Sequence, residues 1–211
     1  VFYVALNLFN ELKRRGIDIT FYCDFRRYYF MKNISEFKDI PIITSNSPQH
    51  RLIGRILYIA KDFSYIIRTA LTILFRLYDS HWYKTSRKSI KEIEEFDLYL
   101  SPFTPPSKDI QEAEIPRFRM LHDIIPVLEM GMAKNAKAWY YKVYNTINDR
   151  DFYFANSECT RLDVLKYFPF VNAENIKTTL LGVNENFKPC KSDEKKKYVF
   201  SLCTLGKRKN I

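Results

Sequence analysis

From Val1 to Arg15 apolar residues fall at Val1, Val4, Ala5, Leu8, Phe9 and Leu12, the spacing of one helix face, and Gly16 follows where such a helix would stop. Between Ile17 and Cys23 the rhythm shortens to alternation, which predicts a strand. Residues 25–38 are basic and aromatic, with Arg26, Arg27, Tyr28, Tyr29 and Phe30, and a short strand is expected at 41–44. Such a patch can stack bases or sugars. A helix that lays long cationic side chains over apolar surface is the simpler account.

Residues 51–79 carry the strongest periodicity. Stepped at about 100° per residue, Leu52, Ile53, Ile56, Ile59, Phe63, Ile66, Ile67, Ala70, Ile73, Leu74 and Leu77 gather on one side. Arg51, Arg55, Lys61, Arg68 and Arg76 gather on the other. No charge-free run approaches the roughly 20 residues that span a bilayer. One long helix packed on a core is the favoured expectation, and a basic amphipathic helix lying on an anionic membrane is the alternative.

The second half alternates more regularly. A charged helix is expected over 84–95, a strand over 96–100, and a Pro-rich loop over 101–106 that brings the Ser101 and Thr104 hydroxyls to the sheet edge. A buried strand over 118–121 ends in His122-Asp123, and Pro126 forbids its continuation. Residues 133–148 read as a helix burying Trp139, Tyr140, Val143, Tyr144 and Ile147. Asp149-Arg150-Asp151 has the form of a metal-holding acidic triplet, but it precedes a strand at the far end from any cleft and reads as a solvated turn. A strand at 152–156, a helix at 160–168 capped by Ser157 or Glu158 and ended by Pro169, and a strand at 176–181 complete the run. The stretch 186–197 then turns polar and strongly basic, as a linker does, before a last apolar strand at 197–203.

This alternation predicts an α/β fold, a Rossmann-like and mostly parallel sheet flanked by helices. Residues 1–186 would form an N-terminal domain lacking its first strand and Gly-rich loop. Residues 187–211 would supply the linker and the first strand and turn of a second α/β domain. The chain opens with Val1 inside a helix, so it reads as a fragment without a signal peptide.

A hydrophobic content of 46% with 27% charged residues excludes a disordered chain. The net charge of +10 favours anionic partners without choosing among phosphates, nucleic acid and acidic lipid. Cys23, Cys159, Cys190 and Cys203 form no close pair and fit free thiols in a reducing compartment. His50, His81 and His122 are too few and too scattered for a metal-dependent phosphohydrolase.

The carboxyl end of a strand in an open parallel sheet faces the ligand crevice, so His122 and Asp123 are the leading candidates for chemistry. The residues alone leave two readings open: an imidazole poised for a substrate group, or one satisfied by a backbone carbonyl.

Four segments in order, His122-Asp123-Ile124-Ile125-Pro126, Ser157-Glu158-Cys159-Thr160-Arg161-Leu162-Asp163, Leu180-Leu181-Gly182-Val183-Asn184 and Cys203-Thr204-Leu205-Gly206-Lys207-Arg208-Lys209-Asn210, resemble the retaining family 4 glycosyltransferases of the GT-B fold. The resemblance covers about half of the chain. It implies transfer of a sugar, with retention, from a nucleotide sugar to a glycan or lipid-linked acceptor in polysaccharide biosynthesis. It further implies a catalytic His122, substrate contacts from Asp123, Arg208 and Lys209, no metal and no cofactor. The acid pair of that family would lie beyond Ile211, so the fragment alone is expected to be inactive. Where many members have Gly at the last strand's end this chain has Cys203-Thr204, which shifts phosphate binding toward Lys209. A cytoplasmic location is expected, peripheral at the inner face of the membrane. The alternative of another class is a noncatalytic basic module on an anionic membrane or on nucleic acid, although no nucleic-acid motif is present.

Overall fold

The computed structural model describes residues 2–23, 25, 28–35, 39–44, 48–82, 85–102, 105–128 and 144–182. The chain divides into two compact units, Val1–Leu180 and Leu181–Ile211. The described residues lie almost wholly in the first.

Helix α1 (Phe2–Arg14) closes at Gly16, whose φ of 73° is the left-handed conformation that a side chain would strain. Gly16 N–H donates to the Lys13 carbonyl and Ile17 N–H to the Leu12 carbonyl, so two of the last helical carbonyls are satisfied. Strand β1 (Phe21–Tyr22) then pairs in parallel with β2 (Ile42–Ile43), with the short helix α2 (Tyr28–Lys32) between them. Phe9 and Ile40 are the buried residues of this small unit, packed by Ile19, Phe21, Met31, Ile34 and Ile42.

A single core-facing helix over 51–79 is not what forms. Helix α3 (Pro48–Ile59) ends in a 3-10 turn at Ala60–Asp62, and α4 (Tyr65–Trp82) starts afresh after Phe63 adopts extended backbone. Asp62 and Ser64 flank the break, residue types whose side chains compete with helical hydrogen bonds. The stripe is also mostly outside: of the positions named for it Ile53 alone is buried, packing with Phe25 and Leu57 against Leu71 and Phe75, while the others face solvent. Two short helices, packed through α3's 53/57 face and α4's 71/75 face, cannot also bury their outer sides.

Gly54 is the contact point of this hairpin with the chain between β1 and α2. A Cβ there would run into the Phe25 carbonyl, which is backbone and cannot swing aside. Gly→Ala in a helix ordinarily stabilises by about 0.5–1 kcal/mol. Gly54→Ala is expected to reverse that sign and destabilise by about 1–3 kcal/mol, measurable by urea denaturation.

The main sheet has the order β3-β4-β5-β6, all parallel: β3 (Tyr99–Ser101), β4 (Arg117–Leu121), β5 (Phe152–Ala155) and β6 (Ile176–Thr178). Registers such as Leu100↔Phe118 and Leu121↔Ala155 align the strand ends. Helices α5 (Arg87–Glu94), α6 (Lys108–Glu112), α7 (Ile125–Leu128) and α8 (Glu158–Tyr167) flank it. The α/β, parallel-sheet expectation therefore holds, and it is compatible with a Rossmann-like domain. Helix α6 was not expected from the Pro-rich loop; Ser107 caps it by accepting from the Ile110 amide.

Alternation sorts the main sheet's side chains. Leu121, Tyr153, Ala155 and Ile176 join Ile124, Tyr144, Ile147, Val164 and Val171 in the largest buried cluster. Phe118 stacks on Phe152 and Phe154 on the other face, with centroids 4.9 and 5.9 Å apart. Of the helix expected at 133–148, Tyr144 and Ile147 are buried as anticipated. Trp139, Tyr140 and Val143 lie outside the described residues, as do the linker and the strand expected at 197–203.

The solvated-turn reading of the acidic triplet needs correction at Asp151, which is wholly buried. Its Oδ1 accepts from Arg117 Nε at 2.6 Å and its Oδ2 from the Arg119 guanidinium at 3.2 Å. Arg119 also donates to the Thr146 carbonyl at 2.6 Å and to Thr146 Oγ1 at 2.7 Å. The turn is tied inward because β4 places two arginines, at i and i+2, on the buried side and leaves them needing an anion. Arg119 lies 5.7 Å from the Tyr153 ring centroid, and burial pushes the Tyr153 hydroxyl up to about 12. Tyr22 OH donates to buried Asp109 Oδ2 at 3.1 Å, linking β1 to α6.

Candidate functional site

The carboxyl ends of the four parallel strands form a row: Ser101-Pro102, His122-Asp123, Asn156-Ser157 and Thr178-Thr179. His122 is half-buried at the middle of this row. Its Nε2 lies 2.9 Å from the Pro102 carbonyl oxygen, and a carbonyl only accepts, so Nε2 is the protonated ring nitrogen in this contact. The Pro-rich loop after β3 thus supplies an acceptor that orients the imidazole. Of the two readings of His122, the backbone-carbonyl contact is present, and the residue is only part-buried.

Asp123 is exposed, and its backbone carbonyl accepts from Tyr144 OH at 2.8 Å. The side chain therefore sits at the rim, next to His122, while Ile124 drops into the core at 2% exposure and anchors the turn. His122 and Asp123 occupy the position that strand-end logic assigns them.

The β5–α8 turn buttresses this lip. Ser157 caps α8, its Oγ accepting from the Thr160 amide at 3.1 Å. Thr160 is buried, with Oγ1 3.4 Å from the His122 carbonyl oxygen, 3.2 Å from Asn156 Oδ1 and 3.0 Å from Ser157 Oγ. The single hydroxyl proton is thus shared between the His122 carbonyl and Asn156 Oδ1, and bridges the two strand ends at the first turn of α8. Of the two expected caps, Ser157 is the one that caps, while the contact of Thr160 with the neighbouring strand end depends on β4–β5 pairing.

At the other side of the same helix start, Glu158 accepts from Arg161 and from Thr178 Oγ1, the latter at 2.6 Å, joining α8 to the end of β6. The Arg161 guanidinium first, and the Thr178 hydroxyl second, hold the Glu158 carboxyl down at about 2. Arg161→Ala is expected to move its titration midpoint from near 2 toward the ordinary 4.5, read by NMR of the side-chain carboxyl. A midpoint unmoved in that variant would mean the ion pair does not persist in solution.

Chemically, the lip offers a held imidazole and an adjacent exposed carboxylate, while the strand-end hydroxyls of Ser101, Ser157 and Thr178 are buried or engaged within the fold. The imidazole and carboxylate suit hydrogen bonding to a polyhydroxyl ligand. Among the described residues no group of three or more His, Cys, Asp or Glu side chains is placed to hold a metal ion. Cys23 is part-buried and Cys159 exposed, and neither forms a disulfide. The other two sequence-predicted site residues, Arg208 and Lys209, lie outside the described residues, as do Lys207, Thr104, Cys190 and Cys203.

No protein-family model, no curated protein and no solved structure matches this chain. The glycosyltransferase resemblance accordingly rests on the four sequence segments themselves.

Proposed function

We propose that the protein is the acceptor-side part of a retaining glycosyltransferase that moves a sugar from a nucleotide donor to a glycan or lipid-linked acceptor in the cytoplasm. The observation that carries this reading is His122, half-buried and oriented by Pro102 at the carboxyl end of a parallel sheet, within a segment that resembles the family's strand end.

In this reaction the glycosidic bond to the nucleotide diphosphate breaks as positive charge grows on the sugar ring and negative charge on the leaving phosphate. His122 hydrogen-bonds the donor sugar, and Asp123 takes a further hydroxyl or orients the lip. Arg208 and Lys209, after an expected strand, neutralise the diphosphate. The mechanism calls on no metal and no cofactor of the protein's own.

The test is transfer from a panel of sugar nucleotides by the full-length protein, with the anomeric configuration of donor and product compared. Retention, with Lys209→Ala weakening donor binding at least about tenfold, is the expected result. Wild-type protein that turns over none of the donors, or a Lys209→Ala variant with unchanged donor binding, would overturn the assignment.

A further inference from the structure

The outward faces of α3 and α4 present a concentration of large apolar side chains to solvent. On α3 these are Leu52, Ile56 and Ile59, and at the tip Phe63 and Tyr65 are 56% and 73% exposed. On α4 Ile66 is 78% exposed, and Ile73, Leu74 and Leu77 are each more than half exposed. At about 100° per residue, positions 66, 70, 73, 74 and 77 fall within one arc of the helix, beside the Leu71 and Phe75 side that packs on α3 and not directly behind it. Both helices therefore have an inner apolar seam and a separate outer apolar face. Single exposed apolar residues are ordinary, but a contiguous face of this kind marks an interaction surface.

Charge selects the partner. Arg51 and Arg55 are exposed on α3, one position before Leu52 and Ile56 in each turn, so cations border the apolar face. Over residues 48–82 the sequence has five Lys and Arg, Arg51, Arg55, Lys61, Arg68 and Arg76, against two carboxylates, Asp62 and Asp79, within a chain of net charge +10. An isologous contact between two copies would set this cationic border against itself. A surface of anionic headgroups over hydrocarbon matches both the charge and the apolar face. Tyr65 places an aromatic ring with a polar end at the hairpin tip, the side chain suited to a headgroup boundary. No helix among the described residues is long and apolar enough to cross a bilayer, which fits a hairpin lying on the surface.

We propose that the α3–α4 hairpin is a peripheral anchor that lays its outer apolar face on an anionic lipid surface, with arginines at the headgroups. This inference stands apart from the sugar-transfer reading and survives its failure.

The test is co-sedimentation of the full chain with phosphatidylcholine vesicles, with and without phosphatidylglycerol, over a salt series. Wild-type protein is expected to bind the anionic vesicles and to release as salt rises. An Ile66→Asp/Ile73→Asp double variant is expected to lose at least about tenfold in binding, and Arg55→Glu to lose less and to flatten the salt dependence. Ile66→Trp provides a second readout that leaves the face apolar: its emission should shift to the blue on adding anionic vesicles. Circular dichroism melting checks that each variant folds. Absence of wild-type binding, equal binding by the double variant, or an unshifted Ile66→Trp emission would overturn the proposal. So would a dimer, seen by sedimentation velocity, that the double variant dissociates, since a second copy would then cover this face.

Discussion

Replacing Asp151 with alanine is expected to lower the free energy of unfolding by about 3–5 kcal/mol, the largest single-site loss of stability anticipated in this chain. The carboxylate is fully buried and is the shared anion of Arg117 and Arg119, whose side chains are 11% and 3% exposed. Removing it leaves two guanidiniums out of water without their counter-charge. The Thr146 carbonyl and hydroxyl, and the Ala113 carbonyl near Arg117, satisfy some N–H groups but carry no compensating charge. Asp149→Ala is the control: that residue is exposed two positions earlier, and its replacement should stay within about 0.5 kcal/mol of wild type. Urea denaturation of both variants makes the comparison. A loss below about 1 kcal/mol for Asp151→Ala would mean that water reaches the arginines readily.

The second large effect belongs to His122. If the imidazole hydrogen-bonds the sugar as charge develops, His122→Ala in the full-length enzyme lowers kcat by roughly 10²–10³-fold and moves KM little. His122→Asn, which retains a short side chain able to accept from a sugar hydroxyl as the unprotonated ring nitrogen would, is expected to recover part of that loss. The contact with Pro102 provides the competing account. Were the ring only a tie between the ends of β3 and β4, its removal would cost about 0.5–1.5 kcal/mol of stability and leave kcat unchanged. Thr160→Val separates the two further, because it loosens the His122 peptide without touching the ring. A moderate fall in kcat, beyond a loss of about 0.5–1.5 kcal/mol of stability for the hydroxyl itself, is the outcome expected for a residue that positions the lip.

Legibility in the sequence followed the range of the forces involved. Strands β4 and β5 were readable because short apolar runs ended at strong stop signals: His122 and Asp123 for one, Ser157 and the helix after it for the other. Gly16 was readable because positive φ is a local demand. The 51–79 segment was misread because periodicity reports that a helix has an apolar side, not that the rest of the protein has surface to cover it. The same pattern served a hairpin that buries Ile53 and Leu57 and exposes Ile66 and Ile73. Asp151 was misread for the converse reason: a turn rich in charge is usually solvated, and only the pairing of β4 with β5 brings Arg117 and Arg119 onto it. At the site, His122 and Asp123 could be placed from the strand end alone. Thr160's second contact required knowing which strands are neighbours.

The buried cluster of Arg117, Arg119 and Asp151 has a consequence for how this chain can drift. A well-packed apolar trio can replace a buried ionic trio at little cost or even with gain, whereas any single loss strands a charge. Substitution at these three positions should therefore be all or none among related chains: either the full set is retained, or all three turn apolar together. Intermediate combinations would be filtered out before any effect on activity came into play.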